Sequence, residues 1–359
     1  MNFLNHVSNR FLFLCISFLV FFKIIIFVLI KNNFLKIPLG GGNDADYYHL
    51  YATGVEDIAV NIWPVILKYL NNLGVYSREI ISYFLLLLNL FIIPVLVAKL
   101  SNLDFSQSQK TYLYTVFICS VYPTLFFYTF DIYRDVFMVS AFAIGCLIVK
   151  ESLNSSKFIY FSFYYLMAIL IGVFLLKLRP YLGYSFLLSL FLWKIKLTKK
   201  RIYFLGFFYF LLLFIANYIG LLDSLTEYRS GFDEGSGGST LGLDFSNPVM
   251  FIPNFILSLL GQLFGLYITN PIAIFLFLIE TVPFFFMLVY VIKNIKLADN
   301  FVRFLIIFFV LYASVWLIGN DNLGTAVRLR LYNYFAIYIC FFYILNFKHK
   351  LKYQQVVKK

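Results

Sequence analysis

Charged residues are scarce in this sequence. Lysine, arginine, aspartate and glutamate make up 13% of the 359 residues, whereas 62% are hydrophobic and 21% are aromatic. Such a composition excludes a soluble domain and indicates an integral helical membrane protein. The net charge of +12 is explained by basic residues beside anionic lipid head groups, so membrane lipid is an expected partner and nucleic acid is not.

Cysteine and histidine are few. The four cysteines all lie in apolar stretches without C-x-x-C spacing, which argues against a disulfide framework or a zinc site. His6, His49 and His349 are too scattered for a metal cluster of familiar spacing, so no metal site is predicted. No cofactor is expected, although a divalent cation held by Asp44, Asp46 and a substrate phosphate stays open. The phosphate-binding pattern G-x-x-x-x-G-K-[ST] is missing, which excludes ATP-driven transport by this chain alone.

Long apolar runs, by contrast, are abundant. We predict about ten membrane spans within a single polytopic domain of residues 1–359, and the first run lacks a cleavage site and is expected to remain as a span. The predicted spans are 11–30, 80–98, 111–129, 135–149, 158–176, 181–193, 202–221, 272–292, 301–319 and 331–347.

The charges are sorted between the two sides of these spans. With both termini in the cytoplasm, 18 of the 29 lysines and arginines lie inside, in accord with the positive-inside bias. Fourteen of the 17 acidic residues lie in or beside outer loops. Acids scarcely influence topology, so their crowding on one face predicts a functional surface there.

Two longer segments lie on that outer face, residues 31–79 and 222–271. Each contains a semi-apolar stretch, 58–70 in the first and 249–268 in the second. The first is too short to span a membrane, and the second is interrupted by Pro253 and Gly261. We predict an interfacial or re-entrant helix for 58–70 and an interfacial helix for 249–268.

The segment 40–51 of the first outer loop contains candidate catalytic groups. Three glycines precede Asp44 and Asp46, and two tyrosines and His49 follow. Two carboxylates at i and i+2 offer a proton acceptor with a neighbour that orients it. Alternatively, one aspartate caps a helix that begins near Tyr47, and the aromatic residues form part of the interfacial belt.

Arginine is enriched on the outer face, where the charge rule disfavours it, while the inner anchors are mostly lysine. Arginine pairs bidentately with phosphate or carboxylate oxygens, so these residues predict a lipid-linked phosphate or pyrophosphate ligand. Structural pairing with nearby acids is the alternative. The outer arginines are Arg78, Arg134, Arg179, Arg229, Arg328 and Arg330.

The segment 228–247 combines many glycines with Arg229 and acids that include Glu234. Its composition is typical of a loop that covers a substrate, and a mobile surface loop is the alternative.

The pattern resembles bacterial O-antigen and oligosaccharide repeat-unit polymerases, which belong to the membrane glycosyltransferases that use polyprenyl-linked donors. The resemblance consists of the D-x-D-x-Y element at Asp44, the Arg134–Asp135 pair after a span that contains Pro123, and an arginine with a glycine-rich loop before the last spans. The order of these features along most of the chain is similar to that in the family. Family arginines carry over to Arg134, Arg179, Arg229, Arg328 and Arg330.

The resemblance implies transfer of a growing glycan from undecaprenyl pyrophosphate to an incoming lipid-linked repeat unit, at the periplasmic face of the bacterial inner membrane. Lipopolysaccharide biosynthesis is the expected process, and a chain-length regulator is a candidate partner. Such a reaction needs a base and charge stabilisation on the leaving group. Asp44, Asp46 and Asp135 are the candidate bases, and the arginines, Glu234 and His49 are the candidate substrate-binding residues.

Two alternatives stay open. The His in the first loop and the modest size of the large loop also fit a transferase that uses a polyprenyl-phosphate sugar. A flippase of lipid-linked oligosaccharide would instead line a cavity with its arginines, but flippases carry polar residues near the bilayer midplane, and these spans contain almost no charge.

Overall fold

The computed structural model describes residues 7–35, 42–235 and 239–357, and they are predominantly helical. In these ranges the only β pairing is an isolated bridge between Thr240 and Asn322. Seven of their helices are long and apolar enough to cross a membrane: Asn9–Lys31, Arg78–Leu100, Arg134–Asn154, Phe158–Leu178, Lys200–Tyr218, Pro271–Lys293 and Asn300–Gly319. The chain is therefore a helical membrane protein, and the predicted all-α class is confirmed.

The chain divides into two compact units. The first comprises residues 1–183 with 348–359, and the second comprises residues 184–347.

The first unit contains the helices of the N-terminal half. Their bounds are α1 Asn9–Lys31, α2 Gly42–Thr53, α3 Ile62–Asn72, α4 Arg78–Leu100, α5 Gln109–Val121, α6 Pro123–Phe127, α7 Arg134–Asn154 and α8 Phe158–Leu178.

The remaining helices belong mainly to the second unit. Their bounds are α9 Pro180–Leu192, α10 Lys199–Tyr218, α11 Asp223–Gly235, α12 Pro248–Leu263, α13 Pro271–Lys293, α14 Asn300–Gly319 and α15 Leu323–Val357.

Polar side chains fix where many of these helices begin. The side-chain oxygens of Ser8, Asn61, Ser77, Asn247 and Asn270 each accept a hydrogen bond from a backbone N–H in the first turn of the helix that follows. Such capping satisfies donors that would otherwise lack a partner at a helix start.

Proline interrupts the predicted span 111–129, so that prediction is wrong as a single helix. α5 ends at Val121, and the short α6 starts at Pro123. Proline clashes with a helical residue before it, and Tyr122 accordingly has the non-helical ψ of 105°. Lys23 of α1 is buried in the protein, and its ammonium group donates a hydrogen bond to the Tyr122 carbonyl at 3.4 Å.

Prolines also explain two π-helical segments. Leu88–Ile92 within α4 ends two residues before Pro94, and Phe277–Thr281 within α13 ends two residues before Pro283. A proline inside a helix removes one hydrogen bond and clashes with the carbonyl four residues earlier. An extra residue in the preceding turn accommodates that clash.

Four other predicted elements correspond to helices with different bounds. The span expected at 181–193 is the 13-residue helix α9, which is shorter than a bilayer is thick. The stretch 331–347 lies inside the 35-residue helix α15. The interfacial stretches 58–70 and 249–268 correspond to α3 and α12, short separate helices whose position at an interface stays a prediction.

The helices of the first unit differ in how much of their surface is buried. Two-thirds of an apolar 18-residue stretch of α7 is buried inside the protein, compared with 11% of such a stretch of α1. Phe11, Phe18 and Phe21 of α1 are more than half exposed. An apolar face of this length would be unstable in water, so lipid is the expected surrounding. Phe27 of α1 is fully buried, in a cluster with Leu86, Leu90, Phe126 and Phe130.

Helix ends in the first unit segregate into two polar groups. Lysine and amide contacts join one set of ends: Lys150 donates to the carbonyl of Lys99 at 2.6 Å, and Asn9 donates to Gln109 at 2.9 Å. At the opposite ends, Lys31 donates to Ser82 at 2.9 Å, close to the start of α4. Helix ends that were predicted to lie on the same side of the membrane therefore contact each other in this unit.

Candidate functional site

A three-residue ion cluster forms at the start of α4 in the first unit. Arg78 binds Asp131 bidentately: its Nε lies 2.8 Å from Oδ1 and its Nη2 lies 2.6 Å from Oδ2. The same Nη2 donates to Asp46 Oδ1 of α2 at 2.8 Å. We call Asp46, Arg78 and Asp131 the Arg78 cluster. It joins the predicted base Asp46 to Arg78, one of the outer arginines expected to bind phosphate, and to Asp131, which was not a predicted site residue.

Exposure differs within the Arg78 cluster. The side chain of Asp46 is 61% exposed, compared with 33% for Arg78 and 21% for Asp131. Asp131 also accepts the Ile132 N–H at 2.8 Å, which orients its carboxylate. Asp131, the least exposed of the three side chains, therefore holds Arg78 in place. Arg78 in turn orients the exposed carboxylate of Asp46, which is accessible to solvent or to a ligand.

His49 and Tyr76 form a second pair in this unit. His49 lies three positions after Asp46 on α2, and its Nδ1 is 2.9 Å from the Tyr76 hydroxyl. Burial raises the pKa of Tyr76 to about 12, so the hydroxyl stays protonated near neutral pH.

The start of α2 contradicts the capping alternative. The helix begins at Gly42, so Asp44 lies in its first turn and Asp46 lies inside it. Neither aspartate caps a helix beginning near Tyr47. Asp44 is partly exposed, and the two carboxylates lie on the helix itself rather than before its start, where the sequence had predicted them.

The third predicted base, Asp135, is inaccessible. Its side chain is fully buried at the start of α7, and its Oδ1 lies 3.3 Å from Arg179 Nη2. Next to it, Arg134 donates to the Leu178 carbonyl at 2.7 Å. These contacts hold the start of α7 to the end of α8. The geometry suits a structural ion pair better than a proton acceptor.

In the second unit, Arg229 of α11 is buried and makes several contacts within the protein. Its Nε donates to the Leu243 carbonyl at 3.0 Å, and its Nη1 donates to the Asn320 carbonyl at 2.6 Å. It also pairs with Asp321, which accepts the Gly242 N–H at 2.8 Å. The predicted loop 228–247 is thus helical in its first part and fastened by Arg229.

A second buried ion pair of this unit lies between two apolar helices. Arg330 of α15 donates to Glu280 of α13 at 3.0 Å, and the Glu280 side chain is fully buried. Glu280 lies in the π-helical segment Phe277–Thr281. The sequence analysis counted this acid among the outer ones, so the expectation that the spans contain almost no charge is wrong here.

Gly265 packs against Arg330. Its φ of +59° is in the left-handed region that favours glycine, and a Cβ at this position would lie 2.8 Å from Arg330 Nη1. The neighbouring Tyr334 hydroxyl donates to the Leu263 carbonyl at 2.7 Å. The connection between α12 and α13 is therefore held closely against the guanidinium of Arg330.

A cavity of about 370 Å³ adjoins this pair. Hydroxyl and amide side chains, apolar side chains and one guanidinium share its surface. Its walls include Ser239, Gln262, Gly265, Tyr267, Thr269, Asn270, Ile272, Ala273, Leu276, Asn322, Leu323, Val327 and Arg330. Small-molecule sites commonly measure roughly 300–1,000 Å³. Of these residues the sequence had indicated Arg330 as a candidate binding residue, but not the amide side chains Gln262, Asn270 and Asn322.

Two further predicted residues, Arg328 and Glu234, belong to the second unit. Arg328 is partly exposed on α15 and does not line the cavity. Glu234 falls in α11, and its side chain is outside the described residues, as are Gly40 and Gly41 of the first loop.

Among the described side chains, no three histidines, cysteines or acids converge as metal ligands. Comparison of the chain with protein-family models, curated proteins and solved structures gives no match.

Proposed function

We propose that the protein is a membrane glycosyltransferase of the polysaccharide-polymerase type, which transfers a growing polyprenyl-pyrophosphate-linked glycan onto a lipid-linked repeat unit. Its membrane would be the bacterial inner membrane, with the reaction on the periplasmic side. The observation that carries the proposal is the Arg78 cluster, an oriented and exposed carboxylate at the helix ends where the predicted outer residues gather.

In this reaction the acceptor hydroxyl of the sugar attacks the anomeric carbon of the donor. The new glycosidic C–O bond forms as the bond between the anomeric carbon and the pyrophosphate oxygen breaks. Asp46 accepts the hydroxyl proton, and Arg78 orients its carboxylate. The leaving pyrophosphate acquires negative charge, which Arg134, a partly exposed arginine of the same unit, would stabilise.

A flippase is the second candidate, and one observation favours it. Glu280 and Arg330 are ionisable residues buried between apolar helices, and such residues often mark transport pathways in membranes. The enzyme is preferred because an exposed carboxylate held by an arginine can accept the proton of an attacking hydroxyl, a step that transport of a lipid-linked glycan does not require. A transferase for a single polyprenyl-phosphate sugar would differ in its product, one added sugar rather than a polymer.

The variant Asp46→Asn tests the proposal. Asparagine keeps the shape and one oxygen for Arg78 but cannot accept the proton, so polymerisation should fall about 10²- to 10⁴-fold. Single lipid-linked repeat units should then accumulate on the periplasmic side. The measurement is the lipid-linked glycan profile of each membrane face in a strain that carries the variant as its only copy.

Asp57→Asn is the matched control, because Asp57 is an exposed acid in the same outer segment and outside the Arg78 cluster. It should leave the glycan profile unchanged. Units trapped on the cytoplasmic face in the Asp46 variant would contradict the enzyme and favour the flippase.

A further inference from the structure

The cavity beside Arg330 contains little net charge. Arg330 is the one charged residue among its described walls, and Glu280 neutralises it at 3.0 Å. A phosphate would need several uncommitted donors or a net positive charge. The cavity therefore does not match the phosphate role that the sequence analysis gave to Arg330.

Helix N-termini at the cavity also have few spare donors. Asn270 Oδ1 accepts the Ala273 N–H at 2.9 Å at the start of α13. Asn322 Oδ1 accepts the Thr325 N–H at 2.9 Å at the start of α15, where the Leu323 N–H donates to the Ser239 carbonyl. Backbone donors that would hold an anion are largely engaged within the protein.

The same caps determine what the two asparagines offer to a ligand. Since both Oδ1 atoms accept from backbone N–H groups, the Nδ2 groups are the donors that Asn270 and Asn322 can offer. Asn270 Nδ2 uses one of its two hydrogens on Thr269 Oγ1 at 3.2 Å, which leaves the second for a ligand. Gln262 has no such freedom, because its amide is committed to Ser258 and Asn320.

Hydroxyl and apolar groups complete the walls. Ser239, Tyr267 and Thr269 contribute hydroxyls that donate or accept, while Ile272 and Leu276 are apolar. Tyr267 is half exposed. Hydroxyl and amide groups beside an apolar wall match the alternating hydroxyl and C–H surfaces of a sugar ring.

We propose that this cavity binds an uncharged sugar ring of the lipid-linked glycan, through the amide donors of Asn270 and Asn322 and the hydroxyls of Ser239, Thr269 and Tyr267. The inference rests on the proposed function for the identity of the glycan, and it assigns the cavity to the sugar rather than to the pyrophosphate. Arg330, which is held by its ion pair with Glu280, lines the site without binding a charged group.

Saturation-transfer NMR on the full-length protein in lipid nanodiscs tests this proposal. The probes are free glucose, galactose, N-acetylglucosamine and N-acetylgalactosamine, with inorganic pyrophosphate and glucuronic acid as anionic competitors. At least one neutral sugar should receive saturation, and pyrophosphate should not displace it. Absence of saturation for all four sugars, or displacement by pyrophosphate, would overturn the proposal.

Two kinds of variant locate the binding. Ala273→Trp places an indole in the cavity and should weaken sugar binding at least tenfold, whereas Phe275→Trp, at an exposed position of the same helix outside the cavity, should not. Asn270→Ser and Asn322→Ser keep a capping oxygen but lose the amide donor, so each should weaken binding about two- to tenfold. Unchanged binding in Ala273→Trp, with an unaltered melting temperature, would place the sugar elsewhere.

Binding needs no turnover, so the two proposals fail separately. Sugar binding at the cavity without any glycan transfer would preserve the site and contradict the polymerase. Normal transfer by Ala273→Trp would contradict the site and preserve the polymerase.

Discussion

The ion pairs of the two units differ in their exposure to solvent. In the Arg78 cluster of the first unit, Arg78 and Asp46 are 33% and 61% exposed, whereas Glu280 and Arg330 of the second unit are almost entirely buried. Exposed pairs add little to stability, typically about 0–1 kcal/mol, while breaking a buried pair leaves an uncompensated charge. The comparison therefore leaves the Arg78 cluster accessible to solvent, as the proposed function requires, and indicates a structural role for the buried pair.

The largest effect should come from breaking the buried pair. Glu280→Gln leaves Arg330 without its carboxylate and should destabilise the protein by about 3–5 kcal/mol. Thermal unfolding in detergent measures this. The double variant Glu280→Leu with Arg330→Met removes both charges and should recover much of the loss.

Asp46→Asn is the comparison in the first unit, and its unfolding temperature should lie close to that of the wild type. Equal destabilisation of Asp46→Asn and Glu280→Gln would remove the distinction between the two ion pairs.

A smaller effect should follow from Gly265→Ala. The substitution forces a Cβ into a left-handed backbone and towards Arg330 Nη1, so we expect a loss of about 1–2 kcal/mol from the backbone alone. Weaker sugar binding should accompany it because the loop moves away from the cavity. Gly242→Ala separates the two causes, since Gly242 also has a positive φ of +65° but open space around it. Equal losses in both variants would show that the contact with Arg330 adds nothing.

The smallest effect concerns Tyr76 and alkaline pH. Burial raises the pKa of Tyr76 in the folded protein above its ordinary value. The folded protein therefore holds this proton more tightly than the unfolded chain, which stabilises the fold while the hydroxyl is protonated. That contribution is complete below pH 10 and is lost as the pH rises towards about 12. The wild type should therefore lose more stability than Tyr76→Phe between pH 10 and 12, as followed by chemical unfolding. Parallel losses in the two proteins would argue against the burial of Tyr76.

Several site residues were accessible to sequence reasoning, and others were not. Asp46 was found because acids on the outer face depart from the ordinary charge distribution. The same reasoning selected Arg179, which is buried in a structural pair with Asp135. Glu280 also carried a signal, since a lone acid within an apolar stretch requires a partner, but it was assigned to the outer face. Asn270 and Asn322 gave no such signal, because asparagine is a common residue at helix starts, where the structure places both.

The sequence by itself determined the class of the protein. Long apolar runs with few charges can only form helices in lipid, where every backbone polar group must be bonded within its own segment. The interruption at Pro123 also has a local cause in the sequence, although the predicted span 111–129 ran through it.

Tertiary structure alone decided which charges meet and which are buried. Arg78 reaches Asp46 and Asp131 from positions 32 and 53 residues away, and Arg330 reaches Glu280 across 50 residues. Such pairing depends on how helices pack and on where side chains point, which local sequence patterns do not encode. The exposure of Asp46, the burial of Asp135 and the cavity beside Arg330 follow from that packing.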